Sequence, residues 1–131
     1  AAAYIIDKKD LIICADTIVY NENILEKPKN KDDAFNMLSS LSNKEHTVIT
    51  GVTIKTIDTQ ITFHESSVVN FYSLNKNEIL YYINNFNSLD KAGAYGIQEW
   101  IGAIGIRTIK GSFYNVMGMP TSKLYQLLKT L

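Results

Sequence analysis

Asp16 is the residue whose setting says most about chemistry. It follows the apolar run Leu11-Ile12-Ile13-Cys14-Ala15, and a carboxylate at the end of an apolar strand is costly without a job or a partner. Ligands of α/β proteins gather at such strand ends. Asp16 therefore reads as a metal-binding carboxylate or general base, or else as a turn cap satisfied by its own backbone amides. Lys27 precedes Pro28, and proline holds the residue before it in extended backbone. That can aim an ammonium at phosphate charge, or leave an ordinary solvated lysine before a turn. The stretch Leu89 to Gln98 carries two glycines among small residues, so its backbone can approach a ligand closely. It has neither the Gly-Lys-Ser/Thr of a Walker loop nor the dinucleotide fingerprint, which leaves a ligand loop or a plain connection. Gly111 to Pro120 is a second glycine-bounded segment, whose Asn115 can bond a ligand or, more commonly for such a residue, backbone.

Other chemistries are poorly supported. Cys14 is the only cysteine, so no internal disulfide can form, and its apolar neighbours mark it as a buried small hydrophobe. No base stands near it in sequence. His46 and His64 are far apart and have no paired cysteine, so zinc-ligand spacing is missing. Thirteen basic residues balance thirteen acidic ones, which argues against sequence-independent nucleic-acid binding. Twelve of the basic residues are Lys and the single Arg is Arg107. Anion clamps favour the Arg fork, so either anions bind weakly here or the gripping arginines lie elsewhere.

At 131 residues and 46% hydrophobic content, the chain suits one compact domain and not a disordered tail. No apolar run approaches the ~20 residues of a bilayer span. The opening Ala1 to Asp7 lacks the basic flank and long apolar stretch of a secretion signal, and it reads as the tail of a helix. A cytoplasmic location with no membrane partner is expected.

The elements that must position these residues follow from periodicity. Leu11 to Ala15 predicts a strand buried on both faces, interrupted at Asp16-Thr17, resumed by Ile18 to Tyr20 and turned at Asn21 to Asn23. Asn30 can cap a helix bearing Ala34, Met37, Leu38 and Leu41. Thr47 to Ile57 and Ile61 to Tyr72 form a β-rich pair about a turn at Asp58 to Gln60. In the second of these, Ile61 and Phe63 alternate with Thr62 and His64 as in a half-solvated antiparallel strand. Leu74 to Glu78 carries a capping box ahead of Ile79, Tyr82, Ile83 and Phe86. Tyr82 and Phe86 are read as core. Gly102 to Lys110 predicts a glycine-interrupted strand, Gly111-Ser112 a turn, and Pro120 the start of a helix with Leu124, Leu127, Leu128 and Leu131 on one face. The class is α/β or α+β.

Taken in order, the blocks Ala15-Asp16-Thr17, Glu26-Lys27-Pro28, His46-Thr47-Val48, Thr50-Gly51-Val52, Asp90-Lys91-Ala92-Gly93-Ala94-Tyr95-Gly96-Ile97-Gln98, Gly111-Ser112 and Asn115 to Pro120 resemble the Maf family. These are nucleoside triphosphate pyrophosphatases once described as septum-formation inhibitors. The resemblance runs from Leu11 onward. It implies a strongly twisted mixed sheet flanked by helices, and hydrolysis of a nucleoside triphosphate to the monophosphate and pyrophosphate with Mg²⁺ or Mn²⁺. Carried over by position, it makes Asp16 the acceptor of the water's proton and a metal contact. It sets Lys27 against phosphate and gives Lys91 either to phosphate or to holding the loop. Thr17 and Gln98 resemble the base-selecting positions of the branch acting on dTTP and UTP. A regulatory nucleotide-binding module without turnover and an inosine-type purine pyrophosphatase are the alternatives. The family's leading strand, its Ser/Pro/Arg-Arg loop and its Glu-bearing helix find no match here. A domain incomplete at its front, with a bare sheet edge prone to homodimerisation, is therefore expected.

Overall fold

The computed structural model describes residues 7–131, so the expectation for the opening residues Ala1 to Ile6 lies outside it. The spine of the molecule is a long antiparallel hairpin. β3 (Glu45–Lys55) and β4 (Gln60–Phe71) are both rich in Val, Ile and Thr and pair from Glu45↔Asn70 to Lys55↔Gln60. β-branched side chains suit a pleated surface. The Thr56 amide donates to the Thr59 carbonyl at 2.8 Å and closes the turn. β1 (Ile12–Asn21) lies along β3 from Ile12↔Lys55 to Tyr20↔Thr47, and its end folds back at Glu22, φ 58°, into the short β2 (Asn23–Leu25). β5 (Ile106–Lys110) borders β4 through a bulge at Asn70/Phe71. The five strands run in the order β2-β1-β3-β4-β5, and every pairing among the described residues is antiparallel.

The period-2 alternation of strands gives this sheet two unlike faces. Ile13, Ala15, Thr17 and Val19 of β1 stand level with Ile54, Val52, Thr50 and Val48 of β3. This is the covered face. At one end α1 (Lys31–Leu41) and α2 (Lys76–Asn85) pack on it, bringing Ala34, Leu38, Leu41, Ile79, Tyr82 and Ile83 against Val19, Val48, Val69 and Phe71. At the other end α5 (Thr121–Leu128) lays Leu124 over Val52 and Ile54. Both longer helices start as the sequence directs. The Asn30 side chain accepts from the Asp33 amide, and Asn75 with Glu78 forms the full capping box. Phe86 stacks on Tyr82 with ring centres 5.2 Å apart, as core residues should.

The other face of the sheet is covered by no helix among the described residues, and this corrects two expectations. Cys14 is exposed, and Leu11 is 48% exposed. Cys14 alternates with Ala15 and so points away from the helices. β1 is not buried on both faces, and it runs unbroken through Asp16 and Thr17.

Gly102 to Lys110 also departs from expectation. Its first part is the one-and-a-half-turn helix α3 (Trp100–Gly105), and only Ile106–Lys110 is strand. The β-branched composition points the whole stretch toward strand, but packing overrides it. Ile101 and Gly105 are buried four residues apart, and a Cβ on Gly105 would sit about 3.0 Å from Leu74 and 3.1 Å from Phe71. Residues 113–117 form a short helix, α4 (Phe113–Met117), in a segment where periodicity shows none. Ser112 caps it, and Gly118, φ 114°, ends it. In α5 the apolar stripe stops at Leu128, since Leu131 is 53% exposed. No helix among the described residues is long and apolar enough to cross a membrane.

Candidate active site

A cleft of about 250 Å³ opens where β1, the Lys27 segment, the 90–98 loop and the end of α4 converge. Asp16, Thr17, Lys27, Lys91 and Gln98 all line it. A neighbouring depression of about 310 Å³ shares Asp16, Thr17, Lys27 and Ala92 and adds Glu26. The two meet over β1, whose far side is paired with β2 only from Val19 to Asn21. Gln98 and Lys91 border the first hollow alone, while Asp16, Thr17 and Lys27 border both.

Strand alternation sets Asp16 and Thr17 on opposite faces of β1. Asp16 is exposed, and its Oδ1 accepts from the Thr17 amide at 3.0 Å. That is the local backbone bond open to a short carboxylate. The other oxygen, Oδ2, has no hydrogen-bond partner among the described residues. Lys27 is exposed, with Pro28 buried behind it, and its ammonium makes no ion pair among the described residues.

Thr17 points to the covered face. Its Oγ1 lies 2.9 Å from Thr50 Oγ1. Thr50 is wholly buried and donates to the Asn115 carbonyl at 3.1 Å. The Asn115 side-chain amide donates to the Val48 carbonyl at 3.2 Å and to Ser67 Oγ at 2.9 Å. Asn115 thus bonds protein, not solvent, and locks α4 onto β3 and β4.

Two tyrosines hold the 90–98 loop from below. The Gly96 amide donates to Tyr82 Oη at 3.0 Å, and that hydroxyl donates to Glu99 Oε1 at 2.9 Å. Tyr95 Oη lies 2.6 Å from His46 Nε2, whose ring stacks on Phe71. Burial raises both tyrosine hydroxyls well above their ordinary value and pushes His46 down to about 4. His46 is therefore neutral at physiological pH.

Gly93, φ 69°, takes the left-handed conformation that favours glycine, and a Cβ there would come 2.9 Å from Val19 Cγ2. Its amide donates to the Glu26 carbonyl at 3.3 Å, which ties the loop to the Lys27 segment. Gly96 has a different reason. A Cβ there would lie 2.6 Å from Glu99 Oε1 and 2.9 Å from Lys91 Cε, so its bareness makes room for the Lys91–Glu99 pair.

Lys91 differs from Lys27 in its commitments. Its ammonium donates to the Asn87 carbonyl at 2.9 Å and to Asp90 Oδ1 at 2.8 Å, and forms an ion pair with Glu99 Oε1 at 3.3 Å. Burial works to lower its pKa, but the Asp90 hydrogen bond and the Glu99 charge together outweigh it and raise the ammonium above its ordinary value. The same hydrogen bond holds Asp90 below the usual carboxylate range. Of the two roles open to Lys91, these contacts match holding the loop.

No group of three or more His, Cys, Asp or Glu suited to a metal occurs among the described residues. Sequence reasoning missed Thr50, Tyr82 and Glu99 as supports of the site. Thr50 carries no spacing signal, since alternation marks it only as inward-facing. Tyr82 sits on an apolar helical stripe that reads as plain core, and Glu99 follows the glycine loop as an unremarkable surface charge.

A family model described as Maf-like protein matches residues 1–131. A relative from Bacteroides fragilis (strain YCH46) is 49% identical over 134 residues, covering 100% of this chain and 69% of its own length. One from Parabacteroides distasonis is 52% identical over 121 residues, covering 92% and 63%. One from Thermosipho melanesiensis is 55% identical over 124 residues, covering 94% and 68%. Each of the three is named dTTP/UTP pyrophosphatase, and this chain spans about two thirds of their length.

Proposed function

The chain belongs to the Maf family, and from that premise we propose that it contributes the cleft of a pyrophosphatase that hydrolyses dTTP and UTP to the monophosphate and pyrophosphate. The observation that carries this reading is the convergence of Asp16, Thr17, Lys27 and Gln98, from three separate segments, on one cleft. The names of the relatives supply the substrate class.

Water attacks the α-phosphorus, the bond to the bridging oxygen breaks, and pyrophosphate leaves. Asp16 Oδ2, uncommitted and solvent-facing, takes the proton of that water. Lys27 offsets the charge gathering on the phosphate oxygens. Thr17 and Gln98, on the other side of β1, meet the base. A divalent cation fits the donor set, because Mg²⁺ commonly takes one or two carboxylates and completes its shell with water and substrate phosphates. Asp16 would hold it, and it would supply charge neutralisation. Lys91 fixes the loop that carries Gln98.

Pyrophosphate release from dTTP, UTP, CTP, GTP and ITP with Mg²⁺ tests the reading. Turnover of dTTP and UTP is expected, with Asp16→Asn slower by about 100-fold or more and an unchanged melting temperature. An Asp16→Asn variant as active as the parent would overturn the assignment. A purine preference would overturn the base-reading roles of Thr17 and Gln98 and favour the inosine-type alternative.

A further inference from the structure

We propose that the buried Tyr82 hydroxyl sets the place of the turn that carries Gln98, which makes Tyr82 a positioning residue for nucleotide binding although it does not line the cleft. The proposal rests on the functional reading above and deepens it.

Residues 96–99 form a tight turn. The Glu99 amide donates to the Gly96 carbonyl at 3.0 Å, and Gln98 stands exposed between them. One phenol oxygen grips both ends of this turn. The Gly96 amide donates to Tyr82 Oη at 3.0 Å, and Tyr82 donates its own hydrogen to Glu99 Oε1 at 2.9 Å. The directions cannot be reversed. A backbone amide only donates, and a carboxylate paired with an ammonium only accepts. A tyrosine hydroxyl, with one hydrogen and lone pairs, serves both ends at once.

Two further observations bear on this grip. Glu99 stands at the N-cap of α3, where a polar side chain ordinarily accepts from the helix's first amides, yet its side chain makes no cap bond there. Its carboxylate is turned instead to Tyr82 and to Lys91. Tyr82 is wholly buried on α2 and stacked on Phe86. A close-packed ring does not follow a surface turn, so the turn follows the ring. Among the described residues no bond of this network reaches Asp16 or Lys27. Loss of the hydroxyl therefore disturbs binding more than chemistry.

The test measures kcat and KM for UTP on the full chain. Tyr82→Phe keeps the ring and removes one oxygen. KM should rise about tenfold, with kcat changed by less than about twofold. Glu99→Ala should act likewise, and the double variant should bind no worse than the weaker single, because both act through one link. Hydrogen exchange on the nucleotide-free chain gives a readout without turnover. The Gly96 and Glu99 amides should exchange about tenfold faster or more in Tyr82→Phe, with the β3 and β4 amides unchanged. A merely structural role would lower the active fraction, so kcat would fall and KM would hold. That result, unchanged exchange at Gly96, or a double variant whose KM rise is the product of the two singles overturns the proposal while the functional reading stands. A parent chain that turns over neither UTP nor dTTP overturns both. If Tyr82→Phe does not fold, Glu99→Ala carries the same comparison.

Discussion

At the scale of single residues, the two lysines of the cleft show why identity and spacing do not settle a role. Lys27 and Lys91 both stand beside motif residues, and sequence offers phosphate binding for either. Contacts separate them. Lys91 is held by two hydrogen bonds and an ion pair to protein, and Lys27 keeps its ammonium exposed in the cleft. Lys27→Ala is expected to raise KM for UTP about tenfold, within reach of one lost charge-assisted contact, and to leave the melting temperature unchanged. Lys91→Ala should instead loosen the loop and cost about 1 kcal/mol, since its partners are only partly shielded from water. That is a fall of about 3–5 °C in a domain of this size. Thermal melts and initial rates on both variants check the pair. If the two swapped signatures, the roles assigned here would be reversed. Asp16 does line the cleft, but not for the reason its sequence setting offered, since β1 runs unbroken through it and leaves its side chain exposed. Thr50 was not legible, because a hydroxyl inside a Val/Ile/Thr strand gives no sign of what it bonds.

At the scale of elements, what could be read depended on whether a segment's fate was decided locally. The caps at Asn30 and Asn75, the β3–β4 hairpin and the apolar stripes of α1 and α2 all arise from neighbours within a few positions, and they appear where periodicity puts them. α3 was hidden because its reason is distant. Gly105 lets the helix approach Leu74 and Phe71, to which a Cβ there would come within about 3.0 and 3.1 Å. The left-handed turn at Gly93 and Ala94, φ 69° and 66°, is similar, since it is set by Val19 beneath it. Gly93→Ala is expected to destabilise by about 2–3 kcal/mol, from left-handed strain plus overlap with Val19. Gly96→Ala should cost less stability but more activity, because it pushes only on the flexible ends of Lys91 and Glu99. Denaturant titration with parallel rate measurements separates the two. A neutral Gly93→Ala would mean the turn is free to take another shape.

At the scale of the whole molecule, the loop and the sheet share a pH-sensitive joint. His46 is 3% exposed, is bonded to Tyr95 and has its pKa pushed down to about 4 by burial. In the unfolded chain it titrates near 6.5. Between these values the unfolded state binds the extra proton and the folded state does not, so stability falls as pH drops from about 6.5 toward 4. The full loss is about 3 kcal/mol. Melting curves across that window should show the decline, and His46→Leu should flatten it. An unchanged slope in the variant would mean other groups carry the acid limb. The site itself is assembled from segments that are remote in sequence, and the Thr17–Thr50–Asn115 run is the clearest case. Its first hydroxyl comes from β1 and its last acceptor from α4. During synthesis at about 5–20 residues per second, Asn115 leaves the ribosome some 5–20 s after Thr17. Asp16 and Lys27 are already outside by then. The order of translation therefore makes the support beneath Thr17 one of the last parts of this cleft to close, after Asp16 and Lys27 have left the ribosome.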